Sequence, residues 1–285
     1  MTTTGYTNWE VGTALANGST TQGYVEQHSQ VSGEDGAVAR HNLQSHFDQE
    51  QYLLLDLQRN VSALRHEIRA MNNVTPKSTV SVMVCGDSIT AGLMSSDNVG
   101  YPGRMVELLD RENISMELSY TAHGGWYVTD LLANIQANLA AAQPQVVTIH
   151  IGTNDAAAGP NSSYQANYTQ LINDILAAPS VKAVICALIP IAQAVTPAYQ
   201  AGMANCNTIV SNIVKNLGNP NVVLADLTTA HEATWNAVDT WPNVASPPGR
   251  WTNDGMHPYD PGCIKTAQML LAAAQQWIPG YTPAT

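Results

Sequence analysis

This sequence predicts an α/β domain built on a five-stranded parallel sheet, and three observations support that fold class. Five apolar runs of strand length recur, at Val80 to Val84, Met116 to Tyr120, Val146 to Ile151, Ala183 to Leu188 and Val222 to Leu224. Helical patterns separate them, near Arg104 to Asp110, Val128 to Ala142, Tyr164 to Ala178 and Tyr199 to Leu217. The runs are nearly continuous in Val, Ile and Leu, the pattern of strands covered on both faces. Alternation of strand and helix then implies parallel neighbours.

The bulk properties agree with a globular chain. With 285 residues, 45% of them hydrophobic, it can bury a sizeable core and fill one large domain or one domain plus an appendage. Eleven Lys and Arg stand against 22 Asp and Glu, and the net charge of -11 disfavours a phosphate-tracking surface or an anionic membrane. Neither nucleic acid nor membrane is expected as a partner. Met1 to Gln22 lacks the basic start and apolar run of a secretory signal, so export by the usual route is not expected. No apolar segment approaches the roughly 20 residues that span a bilayer. Cys85, Cys186, Cys206 and Cys263 show no CxxC spacing; free buried thiols are the default, with a Cys186 to Cys206 bridge conceivable.

Residues 1–33 are rich in Thr, Gly, Ser, Gln and Asn without an apolar period, which reads as a polar tail or docking segment. Residues 34–72 read as a long helix. Leu43, Phe47, Leu54, Leu57, Val61, Leu64, Ile68 and Met71 are spaced four and three apart, with Glu50 filling one slot, which makes a heptad seam. The seam predicts a coiled coil and a homo-oligomer through residues 43–71; the competing reading is an amphipathic helix lying on the α/β domain. Residues 73–78 form a linker around Pro76, which disfavours helix at Thr75. Residues 79–285 are the α/β domain.

Ligands on parallel sheets bind outside the carboxyl ends of the strands, so chemistry is expected just after each run. Val80 to Val84 leads into Gly86-Asp87-Ser88-Ile89-Thr90, read as strand, tight turn and helix start, with the first helical N–H groups aimed at the Ser88 oxygen. The alternative is that Asp87 or Ser88 merely caps a helix. The second run leads to His123-Gly124-Gly125-Trp126 and the third to Gly152-Thr153-Asn154-Asp155. An acyl-transfer site needs N–H donors aimed at a tetrahedral oxyanion, which Gly125 offers through its backbone and Asn154 through its amide. Singly, the glycines could be a turn and Asn154 a cap.

Near the end of the chain, Asn253-Asp254-Gly255-Met256-His257-Pro258 places a carboxylate three residues before an imidazole, ahead of a last helix at Gly262 to Gln276. His257 could accept the Ser88 proton while Asp254 holds its tautomer, although an isolated Asp-x-x-His is also found in structural and metal sites. His150, inside a strand, and His231, on a loop, lack such a partner, and core and surface roles are expected for them.

The four blocks GDSIT (Gly86 to Thr90), HGGW (His123 to Trp126), GTND (Gly152 to Asp155) and DGMH (Asp254 to His257) resemble, in order, those of the SGNH (GDSL-type) hydrolases over about residues 78 to 278. The resemblance implies a three-layer α/β/α flavodoxin-like fold with strand order 2-1-3-4-5. It also implies Ser88 as nucleophile, Asp254 and His257 as its triad partners, and an oxyanion hole formed by the Ser88 N–H, Gly125 and Asn154. No metal or organic cofactor is implied. GDSIT with HGGW is most similar to carbohydrate esterases that remove acetyl groups from xylan and related polysaccharides. Cys263 stands where such sequences often carry tyrosine, a departure expected to affect packing below the His257 loop. Residues 1–77 have no counterpart in the family.

Asp87, Trp126, Tyr127 and Trp251 are the candidate substrate contacts; Trp235 and Trp241 lie in the same long segment, and some of these aromatics are expected only to cover the sheet edge. No long apolar channel is evident, which favours a short acyl group on an acetylated polysaccharide or small ester. Two other readings stand. In one, polar tail, seam and domain form a structural or receptor-binding component laid out like virion-attached enzymes of phage tails; an extracellular or virion-associated location is expected, with the cytoplasm as the alternative. In the other, the same residues serve a lysophospholipase or thioesterase.

Overall fold

The computed structural model describes residues 75–93, 95, 99–159, 162–192, 195–228 and 256–283, and the single position Leu64, which is helical and exposed. The expectations for the polar tail, the rest of the seam, Trp235 and Trp241 lie outside the described residues. Five strands are present: β1 (Ser78–Gly86), β2 (Ile114–Ala122), β3 (Val146–His150), β4 (Ala183–Ala187) and β5 (Val222–Ala225). Between and after them run α1 (Gly100–Arg111), α2 (Val128–Ala142), α3 (Thr153–Ala158), α4 (Ser162–Leu176), α5 (Pro197–Leu217) and α6 (Asp260–Ala274). All strand pairs are parallel and the order is β2-β1-β3-β4-β5.

Two cores follow from the period of two along each strand. Met83 and Cys85 of β1, Val147 and Ile149 of β3, and Val184 and Cys186 of β4 face a layer that includes Leu131 and Ile135 of α2, Leu171 and Ile175 of α4, and Val210 of α5. The intervening Val82, Val84, Val146 and Ile185 face Met105 and Leu109 of α1 and Leu270 and Leu271 of α6. β3 and β4 are buried at every position, which is why they read as unbroken apolar runs.

The helices are bounded by ordinary devices. In α2, Val128, Leu131, Ile135 and Leu139 form the buried stripe, and Gln143 ends the helix in the left-handed region. At the start of α5 the Thr196 hydroxyl accepts the Tyr199 N–H at 3.3 Å beside Pro197, and Gly218 closes the far end. Within α5, Asn207 holds the end of β4 by accepting the Ile189 N–H at 2.7 Å and donating to the Ile189 carbonyl at 2.8 Å. No helix among the described residues is long and apolar enough to cross a membrane.

One helix was not foreseen. The six residues of α3 carry no apolar stripe, and the helix exists because Gly152, at φ +124°, turns the chain sharply after β3. It then packs against α5 where Gly202 leaves room: a Cβ at Gly202 would lie 2.3 Å from the Ala156 carbonyl oxygen.

Among the buried groups, His150 closes β3 with neither ring nitrogen hydrogen-bonded, its ring edge-on to Tyr101 at 5.9 Å between centroids. Burial drives its pKa down from 6.5 to about 4, so the side chain is neutral at pH 7, in the core role its sequence context predicts.

Two predictions follow from this packing. Gly202→Ala gains about 1 kcal/mol in helix propensity, but overpacking against a backbone oxygen costs about 1–3 kcal/mol. Thermal unfolding should therefore show a Tm lowered by a few degrees, whereas a raised Tm would mean that α3 yields without strain. For His150, the unfolded chain takes up a proton near pH 6.5 and the folded chain only near pH 4, so acidification through that window favours unfolding by at most about 3 kcal/mol. His150→Phe removes that linkage, while carboxylates such as Asp87 titrate in both proteins and cancel in the comparison. The Tm of the wild type relative to His150→Phe should fall between pH 7 and pH 4.5; a difference that stays constant would contradict the assignment.

Candidate active site

β1 ends in the tightest packing of the site. A Cβ on Gly86 would sit 2.0 Å from Thr90 Oγ1 and 2.3 Å from the His150 carbonyl oxygen, so only glycine lets the chain turn here against β3. Beyond it the Ala91 N–H donates to the Asp87 carbonyl at 2.9 Å and the Leu93 N–H to the Ser88 carbonyl at 3.0 Å. The expected helix start is thus corrected: residues 88–93 form turns, and α1 begins only at Gly100. Thr90 fastens the turn to α1 through a 2.9 Å hydrogen bond between its hydroxyl and that of Tyr101.

Asp87 is also corrected. It is fully buried, with no surface for a substrate to touch, and its Oδ1 accepts the Ile89 N–H at 3.0 Å in a local turn. Burial pushes its carboxyl up to about 6, opposed by the Ile89 N–H, by Thr153 and by the charge of His257. Asp87 therefore shapes the turn that presents Ser88, whereas Ser88 itself retains a little exposure.

The structure brings Ser88 and His257 together. Ser88 Oγ lies 2.9 Å from His257 Nε2, across 169 residues of sequence. His257 arrives on the segment leading into α6, and sulfur contacts hold that segment on both sides. The Tyr199 hydroxyl of α5 donates to Met256 Sδ at 3.9 Å, and the Cys263 thiol of α6 donates to the Pro258 carbonyl at 3.4 Å. Cys263 packs below the His257 segment, where its departure from tyrosine was expected to be felt. Asp254 and Trp251 lie outside the described residues.

The turn after β2 passes directly beside the nucleophile. His123 donates its N–H to the Gly86 carbonyl at 3.3 Å and stacks on Trp126 with centroids 5.5 Å apart. A Cβ on Gly124 would meet Ser88 Cβ at 4.0 Å, and Gly125 has φ +80°, a conformation that favours glycine. Trp126 is half-buried and Tyr127 is 42% exposed, the only one of the two with a broad open face.

The turn after β3 fastens onto the same loop. Asn154 Nδ2 donates to the Trp126 carbonyl at 2.9 Å. That bond uses one of the two amide hydrogens and fixes the orientation of the other. Asp155 Oδ2 accepts the Val128 N–H at 3.1 Å. Burial pushes the Asp155 carboxyl up to about 6, partly offset by the Val128 N–H and its own N–H, while Asp87 and Asp130 push the same way as burial. Asp155, Thr153, Tyr199 and Met256 had no assigned role in the sequence reading. Only the adjacency of Asp155 to Asn154 hinted at one.

Chemically, a hydroxyl in hydrogen-bond contact with an imidazole, beside a glycine turn, suits nucleophilic attack on a carbonyl. The cysteines offer no rival nucleophile. All four are free and buried, with Cys186 and Cys206 pushed up to about 12 chiefly by burial, so the conceivable Cys186 to Cys206 bridge is absent. Among the described residues, no three His, Cys, Asp or Glu side chains cluster as a metal site requires.

Comparison with known proteins agrees with the family resemblance that the sequence motifs carry. The model of the GDSL-like Lipase/Acylhydrolase family matches residues 84–263, well over half of the chain. No curated protein matches it. Among solved structures, a Clostridium thermocellum family 3 carbohydrate esterase is 21% identical with a TM-score of 0.54, covering 70% of this chain and 97% of its own. An acetylxylan esterase from Geobacillus stearothermophilus, in a tryptophan-to-isoleucine variant, is 20% identical with a TM-score of 0.57, covering 74% of this chain and all of its own. A catalytic mutant of that enzyme with a histidine replaced by alanine is 20% identical with a TM-score of 0.56, covering 68% of this chain and 93% of its own. Other catalytic mutants of the same enzyme replace a serine and an aspartate three positions before that histidine. These similarities show a shared α/β fold, and the match of the family model shows more: the chain belongs to the GDSL-like lipase/acylhydrolase family and is an SGNH-type hydrolase.

Proposed function

We propose that the protein is a serine esterase that hydrolyses short-chain esters, acetyl above all, and that its substrate is an O-acetylated polysaccharide. The observation that carries this reading is the 2.9 Å contact between Ser88 Oγ and His257 Nε2 at the common edge of three strand ends. Ser88 attacks the ester carbonyl as Nε2 takes its proton. The negative charge that develops on the carbonyl oxygen is met by the Ser88 and Gly125 N–H groups and by the second Asn154 amide hydrogen. Collapse of the tetrahedral intermediate breaks the bond to the sugar oxygen, which leaves with the proton from Nε2. Water then attacks the acyl-Ser88 ester, with His257 again as base, and acetate departs.

Asp254 is assigned as the carboxylate that orients His257. The spacing supports this: the catalytic mutants of the Geobacillus stearothermophilus esterase include an aspartate three positions before a histidine, as Asp254 stands before His257. The acetyl preference is supported by the acetylxylan esterases among the similar folds and by the aromatic rim of Trp126 and Tyr127, which suits a sugar ring. Trp251 is assigned to the same rim. We further assign residues 43–71 to self-association and place the assembled enzyme outside the cell or on a virion, on the strength of the heptad seam and polar tail alone.

Acetate release from acetylated xylan measures the central claim. Ser88→Ala should lower it by at least about 10³-fold with the fold intact, and retained turnover would remove Ser88 from the mechanism. With p-nitrophenyl esters, acetate should be hydrolysed faster than octanoate; the opposite order would assign the site to longer acyl chains.

A further inference from the structure

The loop that carries Gly125 is held on its C-terminal side, at Trp126 and Val128, by two consecutive residues of a different strand's turn. Asn154 donates to the Trp126 carbonyl, and Asp155, next in sequence, accepts the Val128 N–H. Val128 is the first residue of α2, and its N–H is one of the donors that a helix start leaves without an intrahelical partner. The preceding N–H, of Tyr127, is taken at 2.8 Å by Asp130 within α2 itself. Asp155 is thus a carboxylate supplied from outside the helix to cap it, at the end where the helix dipole favours negative charge.

From this geometry we propose that Asp155 is a positioning residue: by capping α2 from the β3 turn, it fixes where Gly125 presents its N–H beside Ser88. The inference rests on the esterase reading given above. Three features favour it. The segment it holds has little packing at its tip, where a Cβ on Gly125 would meet nothing within 4 Å and Tyr127 is exposed, so its position depends on its hydrogen bonds at Trp126, Tyr127 and Val128. Its anchor is stiff, because Gly152, at the head of the same turn, is wedged against Tyr164, whose hydroxyl a Cβ there would meet at 2.5 Å. Finally, Asp155 is half-buried, and burial together with the charges of Asp87 and Asp130 disfavours its ionised form, so the Val128 N–H is a compensating partner rather than an incidental one. Its effect on chemistry is indirect, through the position of the loop, and small displacements of an oxyanion donor are costly in rate.

Asp155→Ala and Asp155→Asn in the full chain test this, with p-nitrophenyl acetate kinetics and hydrogen–deuterium exchange of peptides spanning 124–128. The alanine variant should lose about 10- to 100-fold in kcat with KM changed by less than about threefold, and it should exchange faster in that segment. Asparagine, which still offers an oxygen to the Val128 N–H, should recover most of both. A kcat for Asp155→Ala within about twofold of wild type, unchanged exchange, or an asparagine variant no better than alanine would overturn the proposal. If Ser88→Ala retains turnover, the esterase reading fails instead, and the exchange data still decide whether Asp155 holds the loop.

Discussion

The site depends on the level at which three parallel strands end. β1 lies between β2 and β3, with Gly86 opposite Ala122 on one side and His150 on the other, so the last residues of the three strands stand in one row. Everything beyond that row must turn, and the turns occupy one edge of the sheet. Ser88, Gly124 with Gly125, and Asn154 each fall within a few residues of it. Gly86 keeps the row tight, because Thr90 Oγ1 and the His150 carbonyl fill the space where a side chain would stand. The segment carrying His257 is docked at that edge by Tyr199 of α5 and by Cys263 of α6, the helix that packs on α1.

That edge is also where the molecule departs most from an ordinary core. Both ring nitrogens of His150 are buried without hydrogen-bond partners among the described residues. Buried polar atoms left unpaired are costly, and this ring stands at the end of β3, in the row from which the turn of Ser88 departs. An acidic group whose pKa is pushed up to about 6, next to Ser88, and an imidazole held neutral, paired in register with Gly86, mark a region arranged for something other than maximal stability.

Much of this was legible in the sequence, for physical reasons. Strands covered on both faces must be apolar throughout, which made Val146 to Ile151 and Ala183 to Leu188 plain, and the stripe of α2 fixed its limits at Val128 and Ala142. The row of functional turns followed from the rule that parallel sheets present their carboxyl ends. The turn after Ser88 was misread as a helix start because Asp and Ser begin helices and Asx turns alike; only the hydrogen bond from Ile89 to Asp87 decides between them. The same adjacency to Ser88 made Asp87 look like a substrate contact, when its side chain points inward. α3 has no sequence signature of its own, since it exists through Gly152 and the space at Gly202. The roles of Tyr199, Met256 and Asp155 are contacts between distant segments, and no local pattern encodes them.

A fluorophosphonate reacts with a serine only where a base activates the hydroxyl and donors receive the developing charge, so covalent labelling reads the whole arrangement at once. Intact-mass analysis with peptide mapping of the full chain should find a single adduct, on Ser88. No adduct under conditions of ester turnover, or an adduct on any other residue, would contradict the account.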